Sequence, residues 1–405
     1  MNANPPSVCV VATLDTKGAE AEYVAARLRA ANAAVTLIDV GTLNRPAIRP
    51  DVTRETILAG RFLSTTSRQE CFAAMQAGLS DFLTNAVQCG DLAGVIGLGG
   101  SCGTSIITAA MRNLPVGLPK LMVSTMASGD VGEYVGATDI TMMYSVVDIA
   151  GLNRVSRAVL GNAAGAMAGM ISNRTAATDS RTCLALTMFG VTTPCVTAVR
   201  TQLERENHDC LVFHATGAGG QAMEHLIDSG MMSGVLDITT TEVADRIVGG
   251  IMAAGPQRFE AAVRARLPCV LSLGAVDMVN LGPRATVPSE FHGRLLHEHN
   301  AEVTLMRTTA AENIQIADFI ADRLRAATRP FAVVMPEGGV SLLDQPGQPF
   351  WAPEVDAVLF ERLQSRLTDH PQAQVVRSPL HINDPQFATL LCDVYQQVQQ
   401  VAADG

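Results

Sequence analysis

Apolar residues fall in short, β-branched runs. Each breaks into glycine or small polar residues and gives way to a longer stretch with one apolar face, the spacing of strand, turn and helix. Residues 8–13 predict a first strand, followed by the polar turn Leu14-Asp15-Thr16-Lys17-Gly18, a helix to about Asn32, and a second strand over 34–40 that closes on Asp39. Residues 43–67, with Pro46, Pro50 and several arginines, read as an irregular insertion over the sheet edge. A helix over 68–88 leads into the apolar run 93–99, which breaks into Gly99-Gly100-Ser101-Cys102-Gly103-Thr104-Ser105 and a further helix. A strand over 119–125, the polar glycine-rich stretch 126–139 and a small-residue helix over 151–172 complete the series.

Polar residues at 173–180 mark a boundary, and a strand over 182–189 starts a second series. The glycine device recurs there: 210–214 is apolar and Thr216-Gly217-Ala218-Gly219-Gly220 opens a helix. Strands over 234–238, 268–273, 303–307, 331–335 and 374–377 imply a second parallel sheet. The expected architecture is α/β: two Rossmann-like subdomains, residues 1–178 and 179–405, with mostly parallel sheets and a cleft between them. Polar groups follow the later strands at Thr239-Thr240-Thr241-Glu242, Gly274-Ala275-Val276-Asp277, Pro336-Glu337-Gly338-Gly339 and His381-Ile382-Asn383-Asp384. Open parallel sheets bind ligands at their carboxyl edges, so these loops should converge.

Composition narrows the partners. Among 405 residues 48% are hydrophobic and only 4% aromatic, which suits strands covered on both faces by closely packed helices. A net charge of −10 argues against a nucleic-acid-coating surface. The uncharged run 92–111 is interrupted by glycines and hydroxyls and reads as strand and turn rather than a membrane span; no export leader is evident. Nine cysteines without a C-x-x-C pair read as reduced thiols in a cytosol.

The turn after residue 99 suits an anion, because glycines admit close backbone approach and a helix N-terminus presents N–H groups. It is neither of two familiar phosphate loops. Cys102 stands where a dinucleotide fingerprint needs glycine, and no lysine precedes Thr104. What remains is a cradle of Gly99, Gly100 and Gly103 with Ser101 and Thr104 as hydroxyl donors. Lys17 would supply a point cation, and Asp39 either caps a helix or meets a ribose. His292, His297 and His299 read as a solvated helix face, and no metal set is expected. In the second half Glu337, Asp277, His381 and Asp384 are candidate catalytic groups, with Glu337 and His381 as an acid/base pair and the turn 217–220 holding an anionic substrate group.

With Ala12-Thr13-Leu14-Asp15-Thr16-Lys17-Gly18, the glycine turn, Met122-Val123-Ser124-Thr125-Met126-Ala127-Ser128-Gly129, Tyr134-Val135-Gly136-Ala137-Thr138-Asp139 and Pro336-Glu337-Gly338-Gly339-Val340-Ser341 on view, the chain resembles the ATP-binding domain family typified by the tomato mosaic virus resistance protein. The resemblance covers nearly the whole chain. It implies a nucleotide held by the first subdomain, ATP alone or with Mg²⁺, and a homodimer. It places Asp15, Thr16, Lys17, Thr42 and Gly100, Ser101, Cys102, Gly103 and Thr104 against that nucleotide, with Ser128, Gly129 and Asp139 as further candidates. Plant relatives carry an additional TIM-barrel-like domain, so antiviral action does not transfer. The expected function is an ATP-binding protein, as an enzyme acting on a small acidic or carbonyl metabolite by phosphoryl transfer or ATP-assisted activation. The alternatives are a non-catalytic nucleotide sensor and, ranked below it, a dinucleotide-dependent oxidoreductase.

Overall fold

The computed structural model describes residues 5–61, 67–174 and 181–404. Its contacts divide the chain into two compact units, Met1–Thr178 and Asp179–Gly405. The first unit runs β1 (Ser7–Ala12), α1 (Leu14–Ala30), β2 (Val35–Asp39), α2 (Arg54–Leu58), α3 (Arg68–Gln88), β3 (Leu92–Gly99), α4 (Ser101–Met111), β4 (Lys120–Ser124), α5 (Gly132–Val135), β5 (Thr141–Tyr144) and α6 (Arg154–Ser172). All five strands are parallel, in the order β2-β1-β3-β4-β5. Val8, Val10, Ile96 and Leu98 pack towards α1 and α6, while Cys9, Val11 and Val95 pack towards α3 and α4. Both faces of the sheet are therefore covered, which is why the strand runs are almost continuously apolar.

The second unit runs β6 (Thr182–Met188), α7 (Thr193–Arg205), β7 (His208–His214), α8 (Ala218–Asp228), β8 (Gly234–Thr239), α9 (Thr241–Val248), α10 (Glu260–Arg264), β9 (Cys269–Gly274), β10 (Met278–Leu281), β11 (Leu296–Glu298), β12 (Thr304–Arg307), α11 (Ala310–Leu324), β13 (Phe331–Pro336), α12 (Pro353–Leu367), β14 (Ala373–Ser378) and α13 (Pro385–Asp404). Six parallel strands form its main sheet in the order β14-β13-β9-β8-β6-β7.

Three expectations are corrected. The strand expected over 303–307 exists as β12 but lies in a separate antiparallel sheet, β10-β12-β11. Residues 299–303, all that separate β11 from β12, are too few for the crossover a parallel pair requires. The stretch 126–139 is followed by a strand not expected from the letters, β5, a short edge strand without fully buried positions. His297 sits on β11 with its ring against Phe350, and His292 bonds the Val287 carbonyl through Nε2, so the histidines do not share a helix face.

Candidate functional site

In the first unit β1 crosses to β2 on one side, whereas its neighbour β3 crosses to β4 on the other. The loops leaving β1 and β3 therefore part at their carboxyl ends, and such a switch point is where open α/β sheets leave a crevice. A cavity of about 250 Å³ lies there. One wall is the start of α1, with Asp15, Thr16 and Lys17; another is the first turn of α4, with Gly100, Ser101, Cys102 and Gly103; Thr42, Leu43 and Phe72 complete it. Gly100 is the N-cap of α4 and Ser101 already belongs to the helix. The cradle is thus a helix's opening turn, whose amides have no carbonyl within the helix to bond, rather than a loop preceding one.

Neighbouring polar groups are fixed by the backbone. Asp39, buried at the end of β2, accepts the Leu14 amide at 3.0 Å and the Gly41 amide at 2.9 Å through Oδ1. It acts as a cap between two turns. Burial pushes its carboxyl upward while those amides and Arg54 oppose the shift. Asp15 Oδ2 accepts the Asn44 amide at 3.1 Å. Lys17 donates Nζ to the Ile149 carbonyl at 2.6 Å and has non-helical dihedrals within α1, so the ammonium is tethered beside the cavity.

Not every expected residue faces this space. Thr104 is fully buried, and its Oγ1 lies 2.6 Å from Ser124 Oγ, fastening α4 to the end of β4. Gly99 serves the turn itself: a Cβ there would lie 2.6 Å from the Thr104 nitrogen and 2.8 Å from the Gly103 carbonyl carbon. Ser128 and Gly129 are exposed after β4 and are not among the lining residues. Asp139 pairs with the buried Lys120 at 2.7 Å, at the opposite, amino end of the sheet. Val40, Leu43, Phe72 and Ile106 line the cavity without having been anticipated. The one available signal was Leu43, an apolar residue in a polar turn.

The second glycine turn is occupied from within. Glu242, at the start of α9, accepts the Gly217 amide at 2.8 Å through Oε2, and Oε1 pairs with Arg258. A Cβ on Gly220 would lie 2.0 Å from Glu242 Oε1, and one on Gly219 1.8 Å from the His214 carbonyl oxygen. Arg258 is itself buried and grips Asp237 with two bonds, at 2.6 and 2.8 Å. The expected anionic substrate group therefore has no room at 217–220. The chain's own carboxylate fills it.

Nor do the candidate catalytic residues assemble as expected. Glu337 is held by Arg377 at 2.7 Å. His381 accepts the Asn383 amide through Nδ1 at 3.1 Å, so Nε2 carries the proton and donates to the Ser341 carbonyl at 2.9 Å. Both ring nitrogens are thus engaged, and Glu337 is paired elsewhere. Asp277 is fully buried, accepts Ser341 Oγ at 2.8 Å, and is pushed upward by burial. Asp384 accepts the Gln386 amide at 2.8 Å at the start of α13, a turn-capping contact. An open groove of about 810 Å³, lined in part by Thr193, Thr197, Thr201 and Arg205 of α7 and bordered by Leu342 and Pro385 of these loops, was not anticipated. Among the described residues no group of three or more His, Cys, Asp or Glu is arranged to hold a metal, and no helix is long and apolar enough to cross a membrane.

Comparison with known proteins places the chain. Residues 6–176 match the N-terminal domain, and 181–399 the C-terminal domain, of the uncharacterised protein family UPF0261. The chain belongs to that family. A UPF0261 protein of Rhizobium meliloti is 50% identical over 96% of this chain and 98% of its own length. The ToMV resistance protein Tm-1 of Solanum lycopersicum is 44% identical over 98% of this chain, which spans only 56% of that protein. A solved UDP-N-acetylglucosamine 2-epimerase aligns with 66% of this chain and 79% of its own at 11% identity and a TM-score of 0.22, too slight a likeness to say anything of a ligand.

Proposed function

We propose that the first unit binds a nucleotide, ATP, with its phosphates against the opening turn of α4 and Lys17. The supporting observation is the position of the cavity: it opens at the switch point between β1 and β3, with a helix N-terminus, Ser101, Thr16 and a tethered ammonium around it. These are donors suited to phosphate oxygens. The cradle has Cys102 in place of a dinucleotide glycine, which favours ATP or ADP over NAD.

Catalysis through Glu337 and His381 is not part of the proposal, because each is committed to another partner. That commitment favours nucleotide binding or sensing over an ATP-dependent reaction at that pair. Calorimetry and thermal melting of the full chain test the assignment. ATP or ADP should bind and raise Tm by ligand linkage, and NAD should do so much less at equal concentration. Stronger protection by NAD would reverse the assignment.

A further inference from the structure

The cavity lining is chemically mixed. Lys17, Ser101 and Thr16 are polar, whereas Val40, Leu43, Phe72 and Ile106 offer carbon surface. A volume of about 250 Å³ is below the roughly 300–1,000 Å³ of pockets that enclose a drug-sized ligand. A nucleoside triphosphate is larger than most such ligands. Part of it must therefore lie at the mouth.

Leu43 marks where. Leu43 is 71% exposed, more than the other large hydrophobics among the described residues. Yet the turn that carries it is pinned on both sides. Asp39 takes the Gly41 amide, Asp15 takes the Asn44 amide, and Arg54 Nη1 donates to the carbonyls of Gly41 at 3.3 Å and Asn44 at 2.8 Å. Leu14 accepts the Ala47 amide at 2.9 Å, tying the far end of the turn to α1. A leucine held in water by this many backbone ties gains nothing from its own fold. An apolar body arriving at the cavity mouth would bury it.

We infer that Leu43 is the base-packing residue of this cavity: the phosphates meet the polar lining groups and the nucleobase lies against Leu43 at the lip. This rests on the nucleotide reading of the same cavity. The contact is apolar and carries no hydrogen-bond code, so it contributes affinity for a nucleoside without selecting one base.

The test compares ATP with inorganic tripolyphosphate, which has the phosphates and no base, on the full chain and on Leu43→Ala. The side chain is exposed, so the variant should fold, and an unchanged melting curve without ligand establishes that it does. ATP should bind the variant about tenfold more weakly, the share expected from burying much of one leucine. Tripolyphosphate should bind both proteins equally. Equal losses for the two ligands, or no loss for ATP, would overturn the role of Leu43 while leaving nucleotide binding standing. If the unaltered chain binds neither ligand, the nucleotide reading fails and this inference with it.

Discussion

The two units use one device with opposite outcomes. In each, an apolar strand ends in a glycine-rich turn that opens a helix, β3 into α4 and β7 into α8. At the first the turn faces an open cavity; at the second it wraps the carboxylate of Glu242, which bonds the Gly217 amide and Arg258. The switch points differ in the same way. Between β1 and β3 there is space, whereas between β6 and β8 the buried hydroxyls of Thr192 and Thr239 meet at 2.7 Å. A Cβ on Gly274, at the end of β9, would lie 3.0 Å from Thr192 Cγ2 and 2.6 Å from the Ile238 carbonyl oxygen, so these strand ends are closely packed. A glycine turn opens a helix in both units, but only in the second does a carboxylate of the chain occupy it. Whether the chain fills such a turn is decided by residues elsewhere.

Removing the internal anion should have the largest effect. Glu242→Ala would leave the Gly217 amide unpaired and take one carboxylate from the buried Arg258. Breaking such a buried pair costs about 3–5 kcal/mol. The single tryptophan, Trp351, lies in the second unit and reports its urea unfolding by fluorescence. A loss below about 1 kcal/mol would mean that the carboxylate is not what holds this turn together.

The first turn offers a sharper contrast within five residues. Gly99→Ala should destabilise by about 1–3 kcal/mol, because its Cβ would meet backbone atoms that cannot swing aside. At Gly103 the nearest atom to an added Cβ is the Leu98 carbonyl oxygen at 3.6 Å, an ordinary contact. Gly103→Ala should therefore be neutral or slightly stabilising, through helix propensity. Thermal melts of both variants decide the matter, and equal losses would refute the assignment of Gly99 to the turn's packing.

Much of this arrangement was legible in the letters. The runs at 93–99 and 182–189, their glycine or polar exits and the helices between strands follow from local periodicity, and Asp15, Thr16, Lys17, Thr42 and Gly100 to Gly103 do gather around one cavity. What was not legible depends on distant partners. Glu242 is 25 residues from the turn it fills. Thr104 points to Ser124 and Asp139 to Lys120, pairings that follow from strand order rather than from the residues beside them. His381 looked like a base at a strand end, yet its two nitrogens are spent on Asn383 and Ser341, a loop geometry no spacing announces.

If the first cradle awaits an external anion, a fixed negative charge should take its place as Glu242 does in the second unit. Ser101 is exposed in the first turn of α4, where an acidic side chain is favoured by the helix dipole by about 0.3–1 kcal/mol. Ser101→Glu should leave the melting temperature unchanged or slightly raised and weaken ATP at least about tenfold, about 1.4 kcal/mol. Calorimetry on a variant shown to be folded reads this directly. Full affinity for ATP would remove the phosphates from this turn.

The smallest expected effect concerns the cap that shapes the open cavity. Asp39 is raised by burial, while the amides of Leu14 and Gly41 and the charge of Arg54 pull it back, so the net upward shift is modest. Because the folded-state value lies above the unfolded one, the native state holds this proton more tightly, and stability falls as pH rises from the ordinary aspartate value through the raised one. Melting temperatures from about pH 4 to 6 should therefore decline slightly more steeply for the unaltered chain than for Asp39→Asn, whose side chain does not titrate in that range. Other carboxylates change the absolute curve in both proteins and cancel in the difference. A difference of opposite sign would mean that the attraction of Arg54 outweighs burial, making Asp39 a charged partner of the cavity rim rather than a buried cap.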